Sequence, residues 1–188
     1  MTINTKKSTM DLPVIELLTL DDLNNLNARG ALLDGKFIMD WYEPFLIECS
    51  VYGLFTNSKP RRLEGLVAFE PEEGSLSIYQ LEVAFQNRYN NPARENKGIG
   101  KKLTAYGCYL SLSEEYYDQT NGALSAHSKK EARNFYSNLG GEELVDNVFY
   151  FNASLTKKLC EDILGKGEVI WANSLKCRTP KVHPEGFE

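Results

Sequence analysis

The sequence predicts a mixed α/β domain whose first half is antiparallel. Three observations carry this. Up to Phe85, runs of β formers separated by turn signals give a strand, a helix and then three strands with no helix between them. From Gly98 the apolar spacing changes to that of a helix. Beyond it, strand and helix patterns alternate to about residue 165.

The chain has 188 residues, of which 42% are hydrophobic and 25% charged. That is one globular domain with room for a full core. We expect a disordered N-terminus over 1–11, the domain over 12–165 and a C-terminal tail over 166–188, where polarity rises around Pro180 and Pro184. Lys plus Arg number 21 and Asp plus Glu 26, a net charge of −5, which argues against a nucleic-acid partner. No apolar run approaches the roughly 20 residues of a membrane span. Lys6 and Lys7 are not followed by the apolar stretch of a secretory signal. Cys49, Cys108, Cys160 and Cys177 are widely spaced and form no CxxC pair, so neither a metal site nor a disulfide framework is expected. The chain reads as a cytoplasmic protein with reduced thiols.

Val14 to Leu18 reads as the first strand. Thr19 then caps a helix, with Asp22 as its capping-box partner and Leu20, Leu23 and Leu26 at helical spacing. Residues 31–44 fit either a helix or irregular chain, closed by Pro44. Phe45 to Phe55 and Leu63 to Phe69 are β-rich and flank the turn Asn57-Ser58-Lys59-Pro60, which predicts an antiparallel hairpin. Pro71 to Gly74 is a further turn.

Ser75 to Phe85 is the next strand, and its phase is informative. Leu76 and Ile78 are apolar at even positions, whereas Leu81, Val83 and Phe85 are apolar at odd ones. A uniform strand would turn its core face outward at Tyr79-Gln80, and one extra residue, a β-bulge, restores the pattern. A strand buried on both faces would also tolerate the slip.

Asn87 to Lys97 is a loop without apolar period. Ile99, Leu103, Tyr106 and Leu110 lie on one helix face, in a helix expected to reach about Glu115. Ala123 to Ala126 is a short strand, and strand, helix and strand over 75–126 form one right-handed parallel crossover. Ser128 to Glu131 reads as a capping box ahead of a helix bearing Ala132, Phe135, Tyr136 and Leu139 and stopped by Gly140. Val145 to Phe151 is a strand. Asn152 or Ser154 then starts a helix with Leu155, Leu159 and Ile163 on one side.

The most specific chemical signal is Lys97-Gly98-Ile99-Gly100-Lys101-Lys102 between a strand and a helix. A helix start offers unpaired N–H groups and the positive end of the dipole, and glycines let a phosphate approach them. Over 87–102, five cationic side chains (Arg88, Arg94, Lys97, Lys101, Lys102) face one carboxylate, Glu95, so this segment is basic within an acidic chain. Neither the P-loop pattern nor the third glycine of the dinucleotide fingerprint is present. A solvated charged turn would show the same residues without a ligand.

Gly98 and Gly100 at the opening of a helix, followed by Ala132, Phe135, Tyr136 and Gly140 in an AxxFYxxxG run, resemble the GNAT superfamily of acyl-CoA-dependent N-acyltransferases. The resemblance covers about residues 12–153. Glu95 stands where that family usually has Arg or Gln, Lys101 replaces a small residue, and loop 84–97 is longer than in most members.

The resemblance implies a GNAT-like mixed sheet with antiparallel N-terminal strands and a central parallel pair, Leu81–Phe85 and Ala123–Ala126, splayed at the bulge. It implies acetyl-CoA as cosubstrate. The pantetheine arm would lie along Val83 and Phe85, and the pyrophosphate on the backbone of Lys97, Gly98, Ile99, Gly100, Lys101 and Lys102. An amine would attack the thioester directly in a ternary complex. Tyr136 would be the acid for the departing thiolate and Glu82 the base, with no metal. His127 and Cys108 read more simply as structural. The acceptor would be a small-molecule or protein amine, bound near 31–56, where Asp34, Asp40, Glu43 and Glu48 accompany Trp41, Tyr42 and Phe45. Nucleic acid and membrane are not expected as partners, and homodimerisation is left open. The alternative is a catalytically inactive acyl-CoA-binding regulatory or interaction module.

Overall fold

A computed structural model describes residues 13–33, 35–164 and 170–171. The expected disordered N-terminus over 1–11 lies outside them, as does the C-terminal tail over 166–188 apart from residues 170–171.

The elements follow the expected order. Strand β1 (Val14–Leu17) leads into helix α1 (Leu20–Ala28). Thr19 caps α1 as the sequence predicts: its hydroxyl accepts from the Asp22 N–H, and the Asp22 carboxylate accepts from the Thr19 N–H. Then come a short helix α2 (Glu43–Leu46) and three antiparallel strands, β2 (Ser50–Phe55), β3 (Leu63–Glu72) and β4 (Ser75–Val83). Helix α3 (Ile99–Ser111), a turn of helix α4 (Tyr117–Thr120), strand β5 (Leu124–His127) and helix α5 (Arg133–Asn138) follow. The hairpin β6 (Glu142–Val145) and β7 (Val148–Phe151) and helix α6 (Ala153–Ile163) complete the domain. A two-residue strand β8 (Ile170–Trp171) pairs in parallel with β1.

The sheet order is β6-β7-β5-β4-β3-β2-β1-β8. Both faces are buried. Along β3, Val67 and Phe69 join the core under α3 and α6, while Leu66 and Ala68 join a second core with Leu23 of α1, Phe37 and Trp41. This is the period of two read at full burial. The bulge is where the phase slip predicts it: Ala68 pairs with Gln80 and Phe69 with Ile78, which leaves Tyr79 as the extra residue. No helix among the described residues is long and apolar enough to cross a membrane.

Five local expectations are corrected. Phe45 and Leu46 lie in α2, with Pro44 inside it rather than closing a segment, because a proline is tolerated in the first turn of a helix. The second strand therefore begins only at Ser50. The long helix ends at Ser111, short of Glu115, and α4 follows it. Ser128 forms no capping box: its hydroxyl donates to the Lys129 carbonyl, and a single 3₁₀ turn, Lys130–Ala132, precedes α5. The expected strand over 145–151 is the second arm of a hairpin, its turn holding Asn147 at φ 65°.

Candidate active site

Strands β4 and β5 pair in parallel only from Leu76 with Leu124 to Ile78 with Ala126. Past the bulge, β4 continues to Val83 along β3 alone. The Ala84 N–H donates to the Glu64 carbonyl at 2.9 Å, so Glu82 and Ala84 turn their backbone groups to β3. By the antiparallel alternation, Leu81 and Val83 turn theirs to the opposite, opened edge. The parting strands leave a cleft of about 450 Å³. Leu81, Glu82, Val83 and Arg88 line one wall, His127 and Lys129 the end of β5, and Gly100, Phe135 and Tyr136 the other side.

The sequence-predicted residues divide in two. Tyr136, Glu82, Val83 and Gly100 meet in this cleft. Lys97, Gly98, Ile99, Lys101 and Lys102 form the turn and first residues of α3 beside it. Gly98 caps α3 at φ 75°, a conformation that favours glycine, and leaves the following N–H groups unpaired within the helix. Ile99 buries its side chain in the core, so only its backbone can serve a ligand. Gly100 has Phe135 and Val83 atoms 3.4–3.5 Å from where a Cβ would sit, so its lack of a side chain keeps the cleft open at the helix start. Phe85 has left the strand for a 3₁₀ turn. Its N–H donates to the Lys36 carbonyl at 3.0 Å and its own carbonyl accepts from the Arg88 N–H, so its backbone is not part of the open edge.

Tyr136 is buried against Phe149, Phe151 and Phe135. Burial pushes its phenol pKa well above the ordinary value. Its hydroxyl has no hydrogen-bond partner among the described residues, although the residue lines the cleft. Such a group is protonated and free to donate to an atom bound there.

Glu82 is buried and fully engaged. Its Oε1 accepts from the Ile38 N–H at 2.8 Å and from Arg88 Nη2 at 2.7 Å. Its Oε2 accepts from the Met39 N–H at 3.1 Å and from Trp41 Nε1 at 3.0 Å. Three of these four donors, the Ile38 and Met39 N–H groups and Trp41 Nε1, tie segment 38–41 to the splayed strand. Arg88 extends the unit: Nε donates to the Val83 carbonyl at 3.1 Å and Nη2 to the Lys36 carbonyl at 3.3 Å. Sequence reasoning missed Arg88 and Trp41 as partners of Glu82, because their contacts span six and 41 positions with no local pattern.

The acceptor-side candidates are mostly committed to structure. Trp41 is buried, the Tyr42 hydroxyl donates to Asn24 Oδ1, and Glu43 accepts from the Tyr79 hydroxyl. Asp34 lies outside the described residues. A smaller cavity of about 190 Å³ lies behind segment 37–42, and Met39 borders both cavities. Cys108 is buried in the core and its thiol pKa is raised by burial, which disfavours the thiolate. No cluster of three or more His, Cys, Asp or Glu that could hold a metal ion occurs among the described residues.

No family model matches the chain, and no curated protein matches it in sequence. Solved structures match it in shape. A mutant of the AtaT toxin bound to acetyl-CoA and the C-terminus of the antitoxin AtaR superposes with a TM-score of 0.53 at 16% identity, over 79% of this chain and 98% of that one. AtaT complexed with acetyl-methionyl-tRNAfMet gives 0.51 at 15% identity, over 78% and 98%. AtaTR bound with acetyl-CoA gives 0.50 at 19%, over 79% and 98%. The fold is that of the GNAT acetyltransferases, with the parallel pair β4 and β5 at its centre. At these identities the likeness is one of fold. It also corrects one expectation: net charge does not exclude nucleic-acid partners for this fold, since AtaT is seen with a charged tRNA. A balance of −5 is a sum over the whole chain and does not describe the basic segment 87–102.

Proposed function

We propose that the chain is an acyl-CoA-dependent N-acyltransferase that moves an acetyl group from acetyl-CoA to a primary amine by direct attack in a ternary complex. The observation that carries this reading is the opened edge of β4 at Leu81 and at the Val83 N–H, the Val83 carbonyl being held by Arg88, set beside a helix start that glycine keeps clear. The edge suits an extended pantetheine amide chain, and the α3 N–H groups suit a diphosphate. The acetyl-CoA seen with AtaT supports the same cosubstrate.

In this reading the amine enters uncharged and its nitrogen forms the C–N bond as the C–S bond breaks. Tyr136 donates its proton to the departing thiolate, and the proton lost by the nitrogen passes to solvent, from which the phenol is restored. The cleft walls hold thioester and amine in line, which supplies the entropic part of the acceleration. Glu82 sits where a base would be wanted, but each oxygen already accepts two hydrogen bonds. We assign it to holding segment 38–41 as the acceptor-side wall.

Thermal unfolding with and without acetyl-CoA tests the reading. At a hundredfold excess over Kd, binding adds about 2.7 kcal/mol to stability. Gly100→Glu, which fills the cleft at the helix start, abolishes the shift. No shift at millimolar acetyl-CoA removes the proposal. A shift without acetyl transfer to any of a broad panel of amines returns the inactive binding module instead. Mass spectrometry of products from a cell extract supplied with labelled acetyl-CoA identifies the acceptor.

A further inference from the structure

Residues 84–98 form a long, mostly polar connection, yet they must deliver the first turn of α3 in one geometry. Their anchor is a buried carboxylate on the neighbouring strand. Glu64 of β3 is 1% exposed. Its Oε2 accepts from Asn87 Nδ2 and, at 2.9 Å, from Asn96 Nδ2. Asn87 Oδ1 accepts from the Asn96 backbone N–H at 2.8 Å. Arg62 closes the outer side, with Nε 3.4 Å from Glu64 Oε1 and Nη2 2.7 Å from Glu95 Oε2. The unusual Glu95 is thus drawn to Arg62. One residue along β3, a Cβ on Gly65 would lie 2.8 Å from Ile99 Cγ2 and 3.0 Å from Leu103 Cδ1, so α3 rests directly on the strand backbone.

A carboxylate removed from water is costly unless it is well compensated. Here two neutral amides and one half-exposed guanidinium do so, and Oε1 has no hydrogen bond. The fold alone would be served as well by an apolar side chain. What the carboxylate achieves is to pin Asn96, two residues before Gly98.

We propose that Glu64 is a positioning residue for the diphosphate of acyl-CoA. Through Asn87 and Asn96 it fixes the backbone entering Gly98, and so the direction of the unpaired N–H groups of α3. This rests on the acyl-CoA reading above.

The test is calorimetric titration of the full chain with acetyl-CoA and with S-acetylpantetheine, which carries the same thioester arm but neither phosphates nor nucleotide. The affinity ratio of the two ligands reports the phosphate turn. Glu64→Met and Asn96→Ala each lower acetyl-CoA affinity about tenfold and leave S-acetylpantetheine affinity unchanged, the loss expected for one strong hydrogen-bonded contact. Glu64→Gln keeps an acceptor oxygen for both asparagines and restores most of the ratio. If the wild-type chain prefers acetyl-CoA and the variants keep its ratio, or lose both affinities together, the assignment to Glu64 is overturned and the acyl-CoA reading stands. If the wild-type chain binds neither ligand, or both equally, the acyl-CoA reading itself falls and the role of Glu64 falls with it.

Discussion

Arg88 Nη2 lies 2.7 Å from Glu82 Oε1, and the two residues together tie the opened edge of β4 to segment 36–41. Glu82 is 6% exposed and the Arg88 side chain 24%, so the pair is largely withdrawn from water. In such a pair the cost of losing one partner exceeds the net worth of the contact, because the other charge stays behind unpaired.

Glu82→Ala therefore destabilises the chain by about 3 kcal/mol, since it strands Arg88 and leaves the Ile38 and Met39 N–H groups and Trp41 Nε1 without an acceptor. The Glu82→Met/Arg88→Met double variant is more stable than Glu82→Met alone. Urea unfolding of the three variants measures both differences. A Glu82→Ala variant within about 0.5 kcal/mol of wild type, the range of ordinary surface changes, defeats this account.

Much of the fold was legible because it is written locally. The Thr19 and Asp22 capping box, the helical spacing from Ile99 to Leu110 and the phase slip at Tyr79 each need only a few adjacent residues, and each appears in the structure. The α2 turn was misread because Phe45 and Leu46 are good β formers whose state is decided by the packing of segment 37–46. At the site, the glycines of the α3 start stood out by their place between a strand and a helix, whereas Tyr136 was marked only through the resemblance of its AxxFYxxxG run. The surroundings of the two buried carboxylates were not legible, because the partners of Glu64 and Glu82 include Asn87, Asn96 and Trp41, 23, 32 and 41 positions away and outside the strands.

Tyr136→Phe separates chemistry from packing. The hydroxyl has no partner among the described residues, so its removal changes stability by less than about 0.5 kcal/mol and leaves acetyl-CoA affinity intact. Turnover falls about a hundredfold if the phenol is the acid. The raised pKa keeps the acid form present throughout the neutral range, so the wild-type rate shows no alkaline decline from this group below its ordinary value of 10.0. Thermal unfolding with and without acetyl-CoA checks the stability and the affinity, and pre-steady-state release of free thiol, followed across pH in both proteins, checks the turnover and its pH profile.

Stability should fall at high pH for a related reason. Burial raises the phenols of Tyr52 and Tyr136 in the folded chain, while the unfolded chain ionises them near 10.0. The stabilisation they give is complete below that value and is lost as pH rises above it, by up to about 1.4 kcal/mol per pH unit for each group. Tyr136→Phe removes one of the two, so its unfolding free energy declines less steeply than wild type above pH 10.0. Parallel slopes would show that Tyr136 ionises as easily folded as unfolded.

Two glycines of α3 give opposite expectations for the same substitution. A Cβ on Gly107 would lie 2.5 Å from Phe69 Cε1 and 3.0 Å from Leu124 Cδ1. Both neighbours are fully buried and held between sheet and helix, so neither can withdraw. Gly107→Ala therefore costs about 1–3 kcal/mol despite the better helix propensity of alanine. At Gly100 the nearest atoms lie at 3.4 Å, and the added methyl enters the open cleft. Gly100→Ala keeps or slightly raises stability while narrowing the space beside Val83, so it weakens acetyl-CoA binding without loosening the fold. Thermal unfolding of the two variants, each with and without acetyl-CoA, sets packing against ligand access. A Gly107→Ala variant as stable as wild type would mean that α3 can lift from β3 and β5 at no cost.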